Sequence, residues 1–124
     1  MQALSLQQIL DLVGQLNDAG EETSARFRFR RFLSDELDSV GQARDYIEEC
    51  LRKPGDQFNK ALQDLVNHTA SLLGFEVEYG RYRGIRNDIG FDGLWKWGDR
   101  FIVVEVKTTD TYSISTSVLL GYIN

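Results

Sequence analysis

The stretch Asp88–Asp110, DIGFDGLWKWGDRFIVVEVKTTD, decides the fold. Two apolar-rich runs, 89–97 and 101–106, flank the dipeptide Gly98-Asp99. A Gly/Asp pair between two such runs is typical of the tight turn of a β-hairpin. The stretch therefore predicts two antiparallel strands joined by a two-residue turn.

The position of the turn fixes which residues face each other. A turn centred on Gly98-Asp99 pairs Trp97 with Arg100 and, further from the turn, puts Asp92 opposite Glu105. Directly opposed residues point to the same face of the sheet, with Cβ atoms roughly 4.5–5.5 Å apart. Lys107 follows Glu105 by two residues, so strand alternation puts it on that face as well. The hairpin is thus expected to present two carboxylates and an ammonium together.

Such a group of charges points to a bound cation. Like charges opposed in a sheet are unfavourable, and half-buried carboxylates are costly unless they are paired or bound to a metal. Two carboxylates and a few waters suit Mg²⁺, and Mn²⁺ is expected to substitute for it. A lysine beside the ion would orient or help deprotonate a water and stabilise charge on an attacked phosphate. The chemistry indicated is metal-assisted hydrolysis of a phosphodiester.

These residues also resemble a known family. Asp92, a turn, and then Glu105-Val106-Lys107 at the end of an apolar strand resemble the PD-(D/E)XK nuclease motif, and the Asp-Gly and Val-Glu-Val-Lys context is most similar to the Mrr-type branch. The resemblance implies an α/β, restriction endonuclease-like fold with an α-β-β-β-α core. It implies that Asp92 and Glu105 hold Mg²⁺, that Lys107 is the catalytic lysine, and that the substrate is DNA in a restriction or phage-defence setting.

The rest of the chain suits that order of elements. The only proline follows residue 53, and it suggests a helical segment at 1–53 and the nuclease core at 54–124. In the core, an amphipathic pattern predicts a helix from Asp56 to Gly74, followed by a first strand at 75–79, the hairpin and a short helix near the C-terminus. The family fold continues with another strand, so the core is expected to be incomplete here and to be completed in a longer protein.

Two further sets of candidate residues come from this comparison and from the loop before the hairpin. Relatives often carry an acidic residue near the start of the core helix, and the matching position here is Asn59, with Gln57 as the alternative. A neutral amide binds Mg²⁺ more weakly than a carboxylate, which argues against a second metal. Arg81, Arg83 and Arg86 lie in a glycine-bracketed loop beside the site and are candidates for contacts to a nucleic-acid backbone, with a plain solvated loop as the alternative.

The first segment shows helical periodicity without recognisable chemistry. Helices are predicted at 4–17, at 22–34 and from an N-cap at Ser39 to residue 52. Docking a second copy or a larger assembly, or positioning DNA, are the open alternatives for this segment. The second helix carries an arginine cluster that either grips phosphates or forms a solvated face paired with nearby acids; its members are Arg26, Arg28, Arg30 and Arg31.

Composition bounds the remaining possibilities. The chain has 124 residues, 42% of them hydrophobic, and no run approaches the roughly 20 apolar residues that span a membrane. The single cysteine, Cys50, excludes an internal disulfide and a cysteine-based zinc cluster, and a cytoplasmic protein is expected. His68 is predicted to lie on the surface of its helix. The net charge of −5 argues against broad nonspecific binding of nucleic acid but leaves room for a local basic surface.

Two other functions compete with the nuclease. One is a catalytically silent module of the same fold that binds nucleic acid or a protein partner. The other is a structural ion-pair cluster of Asp92, Glu105 and Lys107 in an unrelated α/β domain, with no metal. Exposed ion pairs contribute only about 0–1 kcal/mol, which is a weak reason to place three charges on one strand face.

Overall fold

The computed structural model describes residues 4–83 and 91–107. Within them the chain forms four helices and then an antiparallel sheet of three strands, so the fold is mixed α/β. The helices are α1 Leu6–Val13, α2 Ala25–Glu36, α3 Val40–Arg52 and α4 Asp56–Leu72, and the strands are β1 Glu76–Tyr79, β2 Gly93–Trp97 and β3 Arg100–Val104. The predicted C-terminal helix lies outside the described residues.

Local capping explains where the N-terminal helices begin and end. Ser5 and Gln8 form a capping box at the start of α1, and Ser39 and Gln42 form another at the start of α3. The predicted N-cap of the third helix is therefore confirmed. The first helix is shorter than predicted because Gly14, with φ of 94°, stops it after Val13.

One hydrophobic core joins the helical segment to the rest of the chain. Its fully buried members include Leu6 of α1, Phe29 and Leu33 of α2, and Leu65 of α4. The core is therefore continuous across residues 53 and 54, where the composition suggested a boundary. Among the described parts of the chain, no helix combines the length and apolarity needed to cross a bilayer.

The sheet follows the register predicted from the turn. Its order is β1-β2-β3, Trp97 pairs with Arg100, and the pairing continues to Gly93 opposite Val104. Gly98 supplies the turn with φ of 61°. Helix α4 packs on the face that carries Trp95, whose indole Nε1 donates to Oδ1 of Asn67 in α4 at 2.9 Å.

Three of the four clustered arginines of α2 bind partners outside the helix. Arg26 pairs with Asp18 at 3.7 Å, and Arg30 pairs with Asp64 of α4 at 3.1 Å. Arg28 donates to the carbonyl oxygens of two residues that precede it in the chain, Val13 and Thr23. Three of these four arginines therefore tie α2 to its neighbours, and Arg31 is exposed.

The prediction of a surface histidine is wrong. His68 is 6% exposed, and its Nε2 donates to the carbonyl oxygen of Leu37 across 2.6 Å. The reason is that α4 is covered on two sides, by the sheet on one and by α2 and α3 on the other. A helix in the middle of the fold buries part of the face that its periodicity marks as polar.

Candidate functional site

Asp92 lies where regular strand pairing ends. Its N–H donates to the carbonyl of Val104 at 3.0 Å, and its own carbonyl accepts from the N–H of Gly80 at 3.0 Å. In a regular strand the two backbone groups of one residue point to the same neighbouring strand, so Asp92 departs from that geometry, as at a β-bulge. The pairing of Asp92 with Glu105 that the turn predicts is thus not part of the ladder, which ends one pair earlier at Gly93.

Among the described residues, one hydrogen bond holds the Asp92 carboxylate, and it is made to Oδ2. Oδ2 accepts from the backbone N–H of Val106 at 2.7 Å, and no described residue donates to Oδ1. Burial raises the pKa of this carboxyl above its ordinary value, and the charge of Glu105 raises it further. The Val106 N–H and the Lys107 ammonium act against this rise and lower the pKa. The charges of both other predicted site residues, Glu105 and Lys107, therefore act on the pKa of Asp92.

Glu105 and Lys107 complete the group. The Lys107 ammonium lies 3.0 Å from Oε1 of Glu105, and the two side chains are 40% and 29% exposed respectively. Both are therefore within reach of a molecule in solution. The Asp92 carboxylate accepts from the N–H of Val106, the residue between Glu105 and Lys107, so all three predicted residues lie at the open end of the hairpin.

The donor set suits one kind of cation. Two carboxylates are present, and residues 4–83 and 91–107 hold no group of three or more histidine, cysteine or acidic side chains arranged for a metal. Mg²⁺ commonly takes only one or two carboxylates and completes its octahedron with waters and substrate phosphates. Asp92 and Glu105 therefore fit Mg²⁺ or Mn²⁺ bound with a phosphate, and they do not form a closed protein cage.

The α4 side chains beside Asp92 differ from those proposed by comparison with the family. Gln57 holds the segment after α1 through hydrogen bonds of 2.8 and 2.9 Å, and Asn59 is exposed. The side chains that reach Asp92 are Gln63 and Asn67, which donate to its carbonyl oxygen at 3.4 and 2.9 Å. Gln63 lies four residues after Asn59, or about 6 Å further along the helix axis.

The described part of the basic loop, residues 80–83, is fixed through its backbone. The carboxylate of Asp18 accepts from the backbone N–H groups of Tyr82 and Arg83 at 2.9 and 3.1 Å. Gln63 donates to the carbonyl of Arg81 at 3.0 Å. The side chains of Arg81 and Arg83 are exposed on this anchored backbone, whereas Arg86 lies outside the described residues.

A buried ion pair supports the same loop. Asp64 is fully buried, and it accepts from Nε and Nη2 of Arg30 at 3.2 and 3.1 Å and from the hydroxyl of Tyr82. The guanidinium also lies over the rings of Tyr79 and Tyr82, 4.5 and 5.4 Å from their centroids. Burial raises the pKa of the Asp64 carboxyl, although Arg30 acts against that rise. On a helical wheel of α4, Asp64 falls on the polar side with Asn67 and His68, so helical periodicity did not indicate its burial.

Comparisons of the chain with protein-family models, with curated proteins and with solved structures give no match. The likeness to the nuclease superfamily is therefore carried by the motif residues and the order of elements.

Proposed function

We propose that this chain is a Mg²⁺-dependent endodeoxyribonuclease domain with a restriction endonuclease-like core. The observation that supports the proposal best is the meeting of Asp92, Glu105 and Lys107 at the open end of the hairpin. Desolvation and like charge both disfavour the ionised form of Asp92, and a divalent cation would offset both effects.

Each residue has a distinct role in this proposal. Asp92 offers Oδ1 and Glu105 offers its carboxylate to the ion. When bound, Mg²⁺ supplies Lewis acidity and lowers the pKa of a water molecule. Lys107 would orient a water molecule for attack on the phosphodiester, and its ammonium would stabilise the negative charge that develops on the phosphate.

The anchored loop supplies the contact to DNA. Arg81 and Arg83 extend into solvent from a backbone that is tied to Asp92 through Gly80. Arginines fixed in this way can bind phosphates with little loss of backbone entropy. The chain is acidic as a whole, so this local basic surface is the part of the described structure that favours nucleic acid.

We place the protein in the cytoplasm and, from the resemblance to the Mrr-type branch, in restriction or phage defence. The N-terminal helices would dock a second copy or a larger assembly, since cleavage of both DNA strands commonly requires two sites.

The test is cleavage of supercoiled plasmid and single-stranded DNA in Mg²⁺ or Mn²⁺. Asp92→Asn and Glu105→Gln are expected to lower the rate at least about 100-fold, because each removes a charged ligand. Gln57→Ala probes the alternative ligand position. Lost cleavage with unchanged stability would indicate a metal role, whereas lost stability alone would reflect the hydrogen bonds of Gln57 to the segment after α1. Cleavage that survives in Asp92→Asn and Glu105→Gln would refute the assignment.

A second function is favoured by one observation. The α4 side chains beside Asp92 are the amides of Gln63 and Asn67, and Asp64, which lies between them in the sequence, is bound to Arg30. A site with two carboxylates among the described residues suits a catalytically silent module that binds nucleic acid or a protein. Mn²⁺ binding without cleavage of any DNA would select this function, and absence of both would select a structural ion-pair cluster.

A further inference from the structure

The carbonyl oxygen of Asp92 receives more hydrogen bonds than its burial requires. Donors to it are the N–H of Gly80 at 3.0 Å, Nδ2 of Asn67 at 2.9 Å and Nε2 of Gln63 at 3.4 Å. A carbonyl oxygen has two lone pairs, and one good donor is enough to avoid the cost of an unsatisfied group. The two amide side chains therefore do something beyond satisfying this oxygen.

The orientation of Asn67 is fixed by a second contact. Its Oδ1 accepts from the indole Nε1 of Trp95 at 2.9 Å. Because an indole N–H can only donate, Oδ1 must face Trp95 and the amide NH₂ must face Asp92. Asn67 is 1% exposed, so water does not compete for either bond.

The backbone of the sheet approaches Asn67 closely at this point. A Cβ atom on Gly93 would lie 1.9 Å from Oδ1 of Asn67, and a Cβ atom on Gly80 would lie 1.8 Å from the carbonyl oxygen of Phe91. Glycine at both positions lets α4, the end of β1 and the start of β2 meet at Asp92. The side-chain amide acts within this tight junction, where a small displacement changes every contact.

We infer that Asn67 is a positioning residue. Through its hydrogen bond to the backbone carbonyl of Asp92, it holds Asp92 in place for binding a divalent cation. The inference rests on the proposed function and deepens it. Asn67 touches neither the cation nor the substrate; it acts on the ligand through the main chain. The Val106 N–H holds Oδ2 and Asn67 holds the carbonyl oxygen, so the carboxylate and the main chain of Asp92 are both fixed at the place where Asp92 and Glu105 would hold the ion.

The test is calorimetric titration of Mn²⁺ into the metal-free protein, with no DNA present. Asn67→Ala is expected to weaken Mn²⁺ binding about 10- to 100-fold, as substitutions behind metal ligands do. Trp95→Phe removes the N–H that orients the amide, together with part of the ring that packs on Phe75, and a smaller loss in the same direction is expected. Hydrogen exchange at the Gly80 amide gives a metal-independent readout, which should become faster in Asn67→Ala because the carbonyl that accepts from Gly80 is no longer held in place.

His68→Ala is the matched control. His68 is the next residue of α4, it is also buried, and it also bonds a backbone carbonyl, but that carbonyl belongs to Leu37 and lies away from the sheet. It should lower thermal stability and leave Mn²⁺ affinity unchanged. Equal weakening by Asn67→Ala and His68→Ala, or unchanged affinity in Asn67→Ala, would overturn the positioning role alone. Absence of Mn²⁺ binding to the wild-type protein would overturn the proposed function and this inference together.

Discussion

Removal of the Asp64 carboxylate tests the buried network that holds the basic loop. In Asp64→Ala the Arg30 guanidinium, whose side chain is 16% exposed, loses its counter-charge, and the Tyr82 hydroxyl loses its acceptor. Breaking a buried ion pair from one side costs about 3–5 kcal/mol. We expect about 3 kcal/mol, because Arg30 retains its contacts with two tyrosine rings and part of its access to water. That is a large share of the roughly 5–15 kcal/mol that stabilises a domain.

The assay is urea unfolding followed through tryptophan fluorescence. Both tryptophans lie in β2, so the signal reports on the sheet that the network supports. A double-mutant cycle with Arg30→Met separates the pair from its surroundings: the double variant should be less destabilised than the sum of the single ones, since it leaves no unpaired charge. A cost below about 1 kcal/mol for Asp64→Ala, the range of exposed pairs, or strict additivity in the cycle, would refute the reasoning.

Three other outcomes follow from single sites. Gly93→Ala should destabilise the protein by about 1–3 kcal/mol because its Cβ would overlap Asn67, whereas Gly20→Ala, with no neighbour within 4 Å, should be nearly neutral in the same thermal melt. Burial alone would raise the pKa of Glu49, but hydrogen bonds from two backbone N–H groups at the start of α1 and from a lysine ammonium lower it below 4.5. The stability that Glu49 adds over Glu49→Gln is therefore complete above pH 4.5 and is lost as the pH falls below that value, as acid titration of the unfolding free energy would reveal. Burial raises the pKa of the Cys50 thiol to about 12, so Ellman's reagent at pH 8 should react with it only after urea is added, and rapid reaction of the folded protein would contradict its placement.

The hairpin was predictable because its information is local. The dipeptide Gly98-Asp99 fixes the turn, and strand alternation then fixes the register out to Gly93 and Val104. The helix that ends before Gly74 was predictable for the same reason, since apolar periodicity and a glycine stop occur within one short stretch. These local features also predicted that Asp92, Glu105 and Lys107 lie at the same end of the hairpin.

The supports of the site were not predictable in this way. Asn67 lies 25 residues from Asp92, and Arg30 lies 34 residues from Asp64. A side chain that bonds a distant carbonyl or carboxylate leaves no periodic signal, and on a helical wheel it resembles a solvated residue. His68 was misplaced for this reason. The departure of Asp92 from regular pairing was missed because it depends on the donors that meet its backbone, which strand alternation does not describe.

The most direct test of the central claim compares two lysines on one face of the sheet. Lys107 pairs with Glu105 at the site. Lys96 lies away from the site, and its ammonium is 3.8 Å from the carboxylate of Glu78. In plasmid cleavage with Mg²⁺, Lys107→Met should lower the rate at least about 100-fold, as removal of a donor that stabilises transition-state charge does. Lys96→Met removes only an exposed ion pair and should leave the rate nearly unchanged. Equal rates in the two variants, or a wild-type protein that cuts no DNA in Mg²⁺ or Mn²⁺, would contradict the account.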